Sequence, residues 1–136
     1  MTAIHRRPPR LSTLDAGRAV LAAENVRGFE VRDIDNRPLG RVDDLVIDTV
    51  GRVRFLKVGD GGILGVGRVH RLVPVDIVKG VAGDCAFLDV TKEQLAFAPA
   101  WRPLDDGTYV ADVVRYFGCP PFWSPGYEAP DWTTPD

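Results

Sequence analysis

Between Gly28 and Pro74 the chain reads GFEVRDIDNRPLGRVDDLVIDTVGRVRFLKVGDGGILGVGRVHRLVP. Runs rich in Val, Ile, Leu and Phe are cut by turn chemistry: Asp35-Asn36-Arg37-Pro38, then Asp48-Thr49-Val50-Gly51, then a glycine loop from Gly59 to Gly67. Short strands repeating every roughly 8–12 residues predict a small barrel or sandwich. Phe29 and Val31 alternate with Glu30 and Arg32, a strand with one wet face. The next strand changes phase, because Val42 lies on one parity and Leu45 and Ile47 on the other. A one-residue slip turns every side chain to the opposite face, so Asp43-Asp44 predicts a bulge, the kind of bend that small barrels use to close.

Further strands are predicted over Val53–Val58, Val69–Val75 and Cys85–Val90, the last with Ala86, Leu88 and Val90 inward. Val31, Val42, Phe55, Leu56, Val73 and Leu88 are the expected core. Thr91-Lys92-Glu93-Gln94 fits a capping box, and Pro99 and Pro103 keep the helix it starts short. Tyr109, Val110, Val113, Val114 and Phe117 lie on one face of a helix expected at about 108–117. Asp105 and Asp106 precede it, Gly118 suits its left-handed cap, and Pro120-Pro121 stop the chain. Upstream, residues 13–27 predict a short leading helix and residues 1–12 a flexible basic arm carrying Arg6, Arg7 and Arg10.

Composition bounds what such a chain can do. The 136 residues suit one domain, since domains commonly run about 100–150 residues. A 45% apolar fraction supports a packed core, and a net charge of −2 is too small for a field that gathers nucleic acid. No window approaches the roughly 20 apolar residues of a membrane span. Arg6-Arg7 is followed by Pro8-Pro9 and polar residues where an export signal carries an apolar run. Cys85 and Cys119 read as free thiols of a reducing compartment. The expectation is a soluble cytoplasmic protein with neither nucleic-acid binding nor membrane insertion.

Candidate chemistry is thin. Asp33-x-Asp35-Asn36 opens like a calcium loop, but Arg37 and Pro38 stand where a ligand and a glycine are required, so a β-turn is expected. Gly59, Gly61 and Gly65 precede a strand, whereas a dinucleotide site needs a helix opening there. His5 lies in the arm, and His70 has no patterned carboxylate or thiol near it in sequence. Neither serine, Ser12 or Ser124, stands in a nucleophile elbow. Asp43, Asp44 and Asp48 read as turn and solvent-face residues. No metal, cofactor or catalytic residue is expected.

Of the 12 aromatic residues, seven lie between Tyr109 and Trp132: Tyr109, Tyr116, Phe117, Phe122, Trp123, Tyr127 and Trp132. Disordered tails are poor in aromatics, so these rings must cover the barrel, pack in a symmetric dimer or wait for another protein. They are the candidate protein interface, because Trp and Tyr dominate binding hot spots.

Gly28 to Pro99 resembles a PRC-barrel domain. The matching pieces are GFEVRDIDNRPLGRVDDLVID at 28–48, RVRFLKV at 52–58, the glycine loop, VPVDIV at 73–78 and TKEQLAFAP at 91–99. Asn36-Arg37-Pro38 replaces the plain Asp-Gly turn frequent in the family. The resemblance implies a mainly β fold, a small PRC-type barrel at 13–99 with short flanking helices and an extended aromatic and proline-rich segment at 100–136. It also implies an interaction module without catalytic residues. In the reaction-centre H subunit the barrel influences proton delivery to a quinone; in the ribosome maturation factor a related barrel binds a ribosomal protein. The expected function is a non-enzymatic scaffolding module, a homodimer with a further, unidentified protein partner. The alternatives are a soluble adaptor of a membrane redox or transport complex and, last, a small-ligand binder or enzyme.

Overall fold

The computed structural model describes residues 8–14, 20–60 and 69–135. Seven strands make one sheet: β1 (Ser12–Thr13), β2 (Glu30–Arg32), β3 (Pro38–Ile47), β4 (Val53–Gly59), β5 (His70–Pro74), β6 (Val78–Ala82) and β7 (Cys85–Leu88). Two helices follow, α1 (Lys92–Ala96) and α2 (Gly107–Phe117). The strand order is β5-β4-β3-β2-β7-β6, with β1 also on β3. All pairs are antiparallel except β2 with β7.

The connection between β5 and β6 decides the shape. These strands lie at opposite ends of the order, yet only the 3₁₀ turn Val75–Ile77 joins them. In a flat sheet the outer two of six strands sit about 24 Å apart at about 4.8 Å per strand. Four Cα steps from Pro74 to Val78 reach at most about 15 Å. The sheet must therefore curl, and it does so as a barrel around Val31, Val42, Leu45, Leu56, Val73 and Leu88. Curling is helped by bulges. The β3–β4 register skips from Val42↔Val58 to Asp44↔Lys57, leaving Asp43 as the extra residue, where the change of parity predicts it. A second slip lies between Val46 and Ile47. Gly40 has φ +144°, and a Cβ there would lie 1.9 Å from the Gly59 carbonyl oxygen, so the two strands meet as closely as they do because position 40 has no side chain.

All six expected core residues are buried, but Phe55 is buried on the outside of the barrel. There it joins Val46 and Leu72 under Tyr109, Val110, Val113 and Val114 of α2. That helix begins with the Asp106 carboxylate accepting from the amides of Thr108 and Tyr109 and ends at Gly118, φ +71°. The Thr91–Gln94 capping box starts α1.

Three expectations change at the N-terminal side. The arm ends before residue 12, because Leu11 is buried in the outer cluster and Ser12–Thr13 pair with Val46 and Ile47. The described part of 13–27 is this strand end and a 3₁₀ turn at Ala22–Glu24, not an α-helix. Asp44 and Asp48 are buried rather than solvent-facing. The leading-helix residues 15–19, most of the glycine loop (61–68) and His5, Arg6 and Arg7 lie outside the described residues.

Candidate functional site

The aromatic residues of the C-terminal section separate by environment. Tyr109 is 1% exposed under α2, and Trp132 is 3% exposed among the residues inside the barrel. Both are core, so neither can present itself to a partner, a correction to their place in the candidate interface. The local pattern could not distinguish a ring that waits from one that returns to its own fold.

Residues 119–135 act as a strap that starts over β3–β5 and ends at β6. Phe122 meets Phe55 edge to face at 6.1 Å and Trp123 at 5.1 Å. The Arg54 guanidinium lies 5.0 Å over the Phe122 ring and 5.9 Å from that of Tyr127. The Tyr127 hydroxyl donates to Asp76 Oδ2 at 2.8 Å; burial first, and then this carboxylate, push the phenol well above its ordinary range. Beyond Trp132, the Thr134 carbonyl accepts from the Val81 amide on β6. The edge of β5 is met in a similar way, with the Trp101 amide donating to the His70 carbonyl and Ala100 bridging Arg71. Residues after the barrel thus satisfy backbone groups on both edge strands, which would otherwise invite another chain.

Five of the seven rings keep some exposure: Phe117, Phe122, Trp123 and Tyr127 are half-buried and Tyr116 is exposed. Tyr116 is 41% exposed, its hydroxyl donates to the Gln94 carbonyl of α1, and half-buried Phe117 meets it edge to face at 5.0 Å. Phe97, at the end of α1, is 81% exposed. It was not among the sequence-derived candidates, since its place after a short helix gave no signal of exposure.

The charged groups are organised as staples. Asp33, buried, accepts from the amides of Asp35, Arg37 and Lys92 and from Arg37 Nε. Burial pushes its carboxyl up, but these donors together outweigh burial and hold it below the usual range. Arg37 also forks onto Glu93 at 2.7 and 2.9 Å, and this contact is the main reason Glu93 sits at about 2. The turn expected at Asp33–Asn36 is therefore tied to the start of α1. A second staple joins buried Glu24 to Arg52 and the Val53 amide, and Asp48 to Arg54 and to the amides of Val50 and Arg52. His70 Nε2 lies 2.7 Å from Asp43 Oδ2, across the intervening strand β4. That partner is 27 residues away, which is why no carboxylate was legible beside His70 in sequence.

Cys85 and Cys119 are both free and half-buried, and burial raises both thiols, Cys119 to about 11. Among the described residues no three His, Cys, Asp or Glu side chains are placed to hold a metal, and no helix is long and apolar enough to cross a membrane.

A family model, PRC-barrel domain, matches residues 19–95, more than half of the chain. The chain belongs to the PRC-barrel family. The match starts nine residues before the resemblance read from Gly28 onward and ends within α1. The match does not extend over α2 and the strap. No curated protein matches the chain.

Proposed function

We propose that this PRC-barrel protein is a non-enzymatic interaction or scaffolding module that works in the cytoplasm as a homodimer. The observation that carries this reading is where chemistry is spent and where apolar surface is left. Asp33, Glu24 and Asp48 are committed to holding turns and strand ends. Phe97 at 81% exposure and Ile34 at 46% leave apolar side chains in water. Tyr116 adds to the Phe97 side, since its hydroxyl is anchored on Gln94, three residues before Phe97. Rings exposed on an anchored ridge are the kind of residue that contributes most in protein contacts.

Light scattering on the full chain tests the reading, with a dimer as the expected result. The reading fails if the chain is monomeric throughout, and a metal or nucleotide that at 100 times its dissociation constant stabilises it by roughly 2.7 kcal/mol would mark a ligand binder instead.

A further inference from the structure

The barrel has two flanks, and among the described residues only one lies beneath a helix; the other meets the end of the chain only at Thr134 and Pro135. On β3–β5 the outward residues Val46, Phe55 and Leu72 lie beneath α2 and the strap. On β2, β7 and β6 the outward face holds Glu30 and Arg32 beside Cys85 and Phe87, as the register Glu30↔Cys85 and Arg32↔Phe87 requires. Ala82 continues this face opposite Cys85. Ile34 overhangs it from the turn after β2, and Ile34, Ala82, Phe87 and Pro135 help to line an open groove of about 480 Å³.

We infer that this β2-β7-β6 flank is the surface on which a second copy of the chain docks, two-fold and face to face. The inference rests on the homodimer reading and names its contact. The argument for a second copy is charge. Glu30 and Arg32 lie two residues apart on the same side of β2, paired at 3.1 and 3.2 Å and each about one third exposed. A two-fold operation that runs β2 antiparallel to its image sets Arg32 against Glu30 of the other copy and Glu30 against its Arg32. The face is thus complementary to itself, with the charged pairs beside the two-fold axis and the apolar Phe87 and Ile34 of each copy around them. Three short strands present a small face, so the dimer is a reversible one, at the low end of interface size.

The test is light scattering on the full chain over a dilution series, beside Phe87→Glu and Ile34→Asp made separately. The expected result is a dimer that dissociates on dilution, with each substitution raising the dissociation constant about tenfold or more. Ile34 stands exposed in a turn, so Ile34→Asp should leave the melting temperature unchanged and keeps the test valid if Phe87→Glu fails to fold. A wild-type dimer that both folded variants retain overturns this face while the homodimer reading stands. A wild-type monomer at every concentration overturns both. Charge reversal checks the symmetry: Glu30→Arg or Arg32→Glu alone should weaken the dimer, and the two together should restore it. A double variant no tighter than either single one overturns the two-fold arrangement.

Discussion

The covered flank and the bare flank of this barrel are built from similar strands but end in different states. Phe55 on β4 and Phe87 on β7 both point outward; Phe55 is 1% exposed and Phe87 only half-buried. The difference lies in residues that follow the barrel. The helix and strap bring Tyr109, Val113, Phe122 and Trp123 over β3–β5, and nothing comparable among the described residues lies over Phe87. A strand's outward face takes its character from what the rest of the chain places on it, which β-propensity does not record.

The sharpest way to break this comparison is to truncate one ring at a time. Phe55→Ala and Trp132→Ala should each cost about 3–5 kcal/mol, because each leaves a cavity in a packed cluster. Phe87→Ala should cost about 1 kcal/mol or less, as at a surface site. Denaturant titration of the three variants decides it; equal losses at Phe55 and Phe87 would mean that the flanks do not differ.

Gly40→Ala tests the close approach within the barrel itself. The new methyl would meet the Gly59 carbonyl, which is backbone and cannot swing away, at a φ that favours glycine. A loss of about 1–3 kcal/mol is expected, as for overpacking, and a neutral substitution would show that β3 and β4 can separate freely. On the strap, Tyr127→Phe removes the hydroxyl donated to Asp76 and should cost about 1 kcal/mol in melting experiments. No loss would mean that ring packing alone holds the strap.

The smallest effect at neutral pH belongs to the charged staples, which separate from the packed flanks by their pH dependence. Glu93 is held at about 2 against its ordinary 4.5, and Asp33 and Asp48 are lowered as well. Depressed carboxyls bind fewer protons in the folded state than in the unfolded state. Their contribution is therefore complete above about 4.5 for Glu93 and is lost as pH falls toward 2. Melting temperature should drop through that window, and Glu93→Gln should reduce the drop. A profile identical to wild type would remove the Arg37–Glu93 pair from the account.

Much of this was legible because it is local. The phase change at Asp43-Asp44 gave the bulge, the Thr91–Gln94 spacing gave the capping box, and the Tyr109–Phe117 period gave α2. What was not legible depends on partners far apart in sequence. Asp43 and His70 are separated by 27 residues, Arg37 and Glu93 by 56, Tyr127 and Asp76 by 51. Acids such as Asp44 and Asp48 look like solvent-face residues until the strands around them close. Two residues of the candidate interface show the same effect. Tyr109 and Trp132 carry the composition of a hot spot, yet they complete the protein's own core.

By itself the sequence determined five of the seven strands, the phase change in β3, the limits of α1 and α2 and the family, because side-chain period, turn chemistry and capping act over a few residues, whereas β1 and β6 carry no such local signal. Only the tertiary structure decided which aromatic rings are core and which are surface. Burial is a property of pairs of segments, and the strap that hides Phe55 is joined to it by a chain long enough to have gone elsewhere.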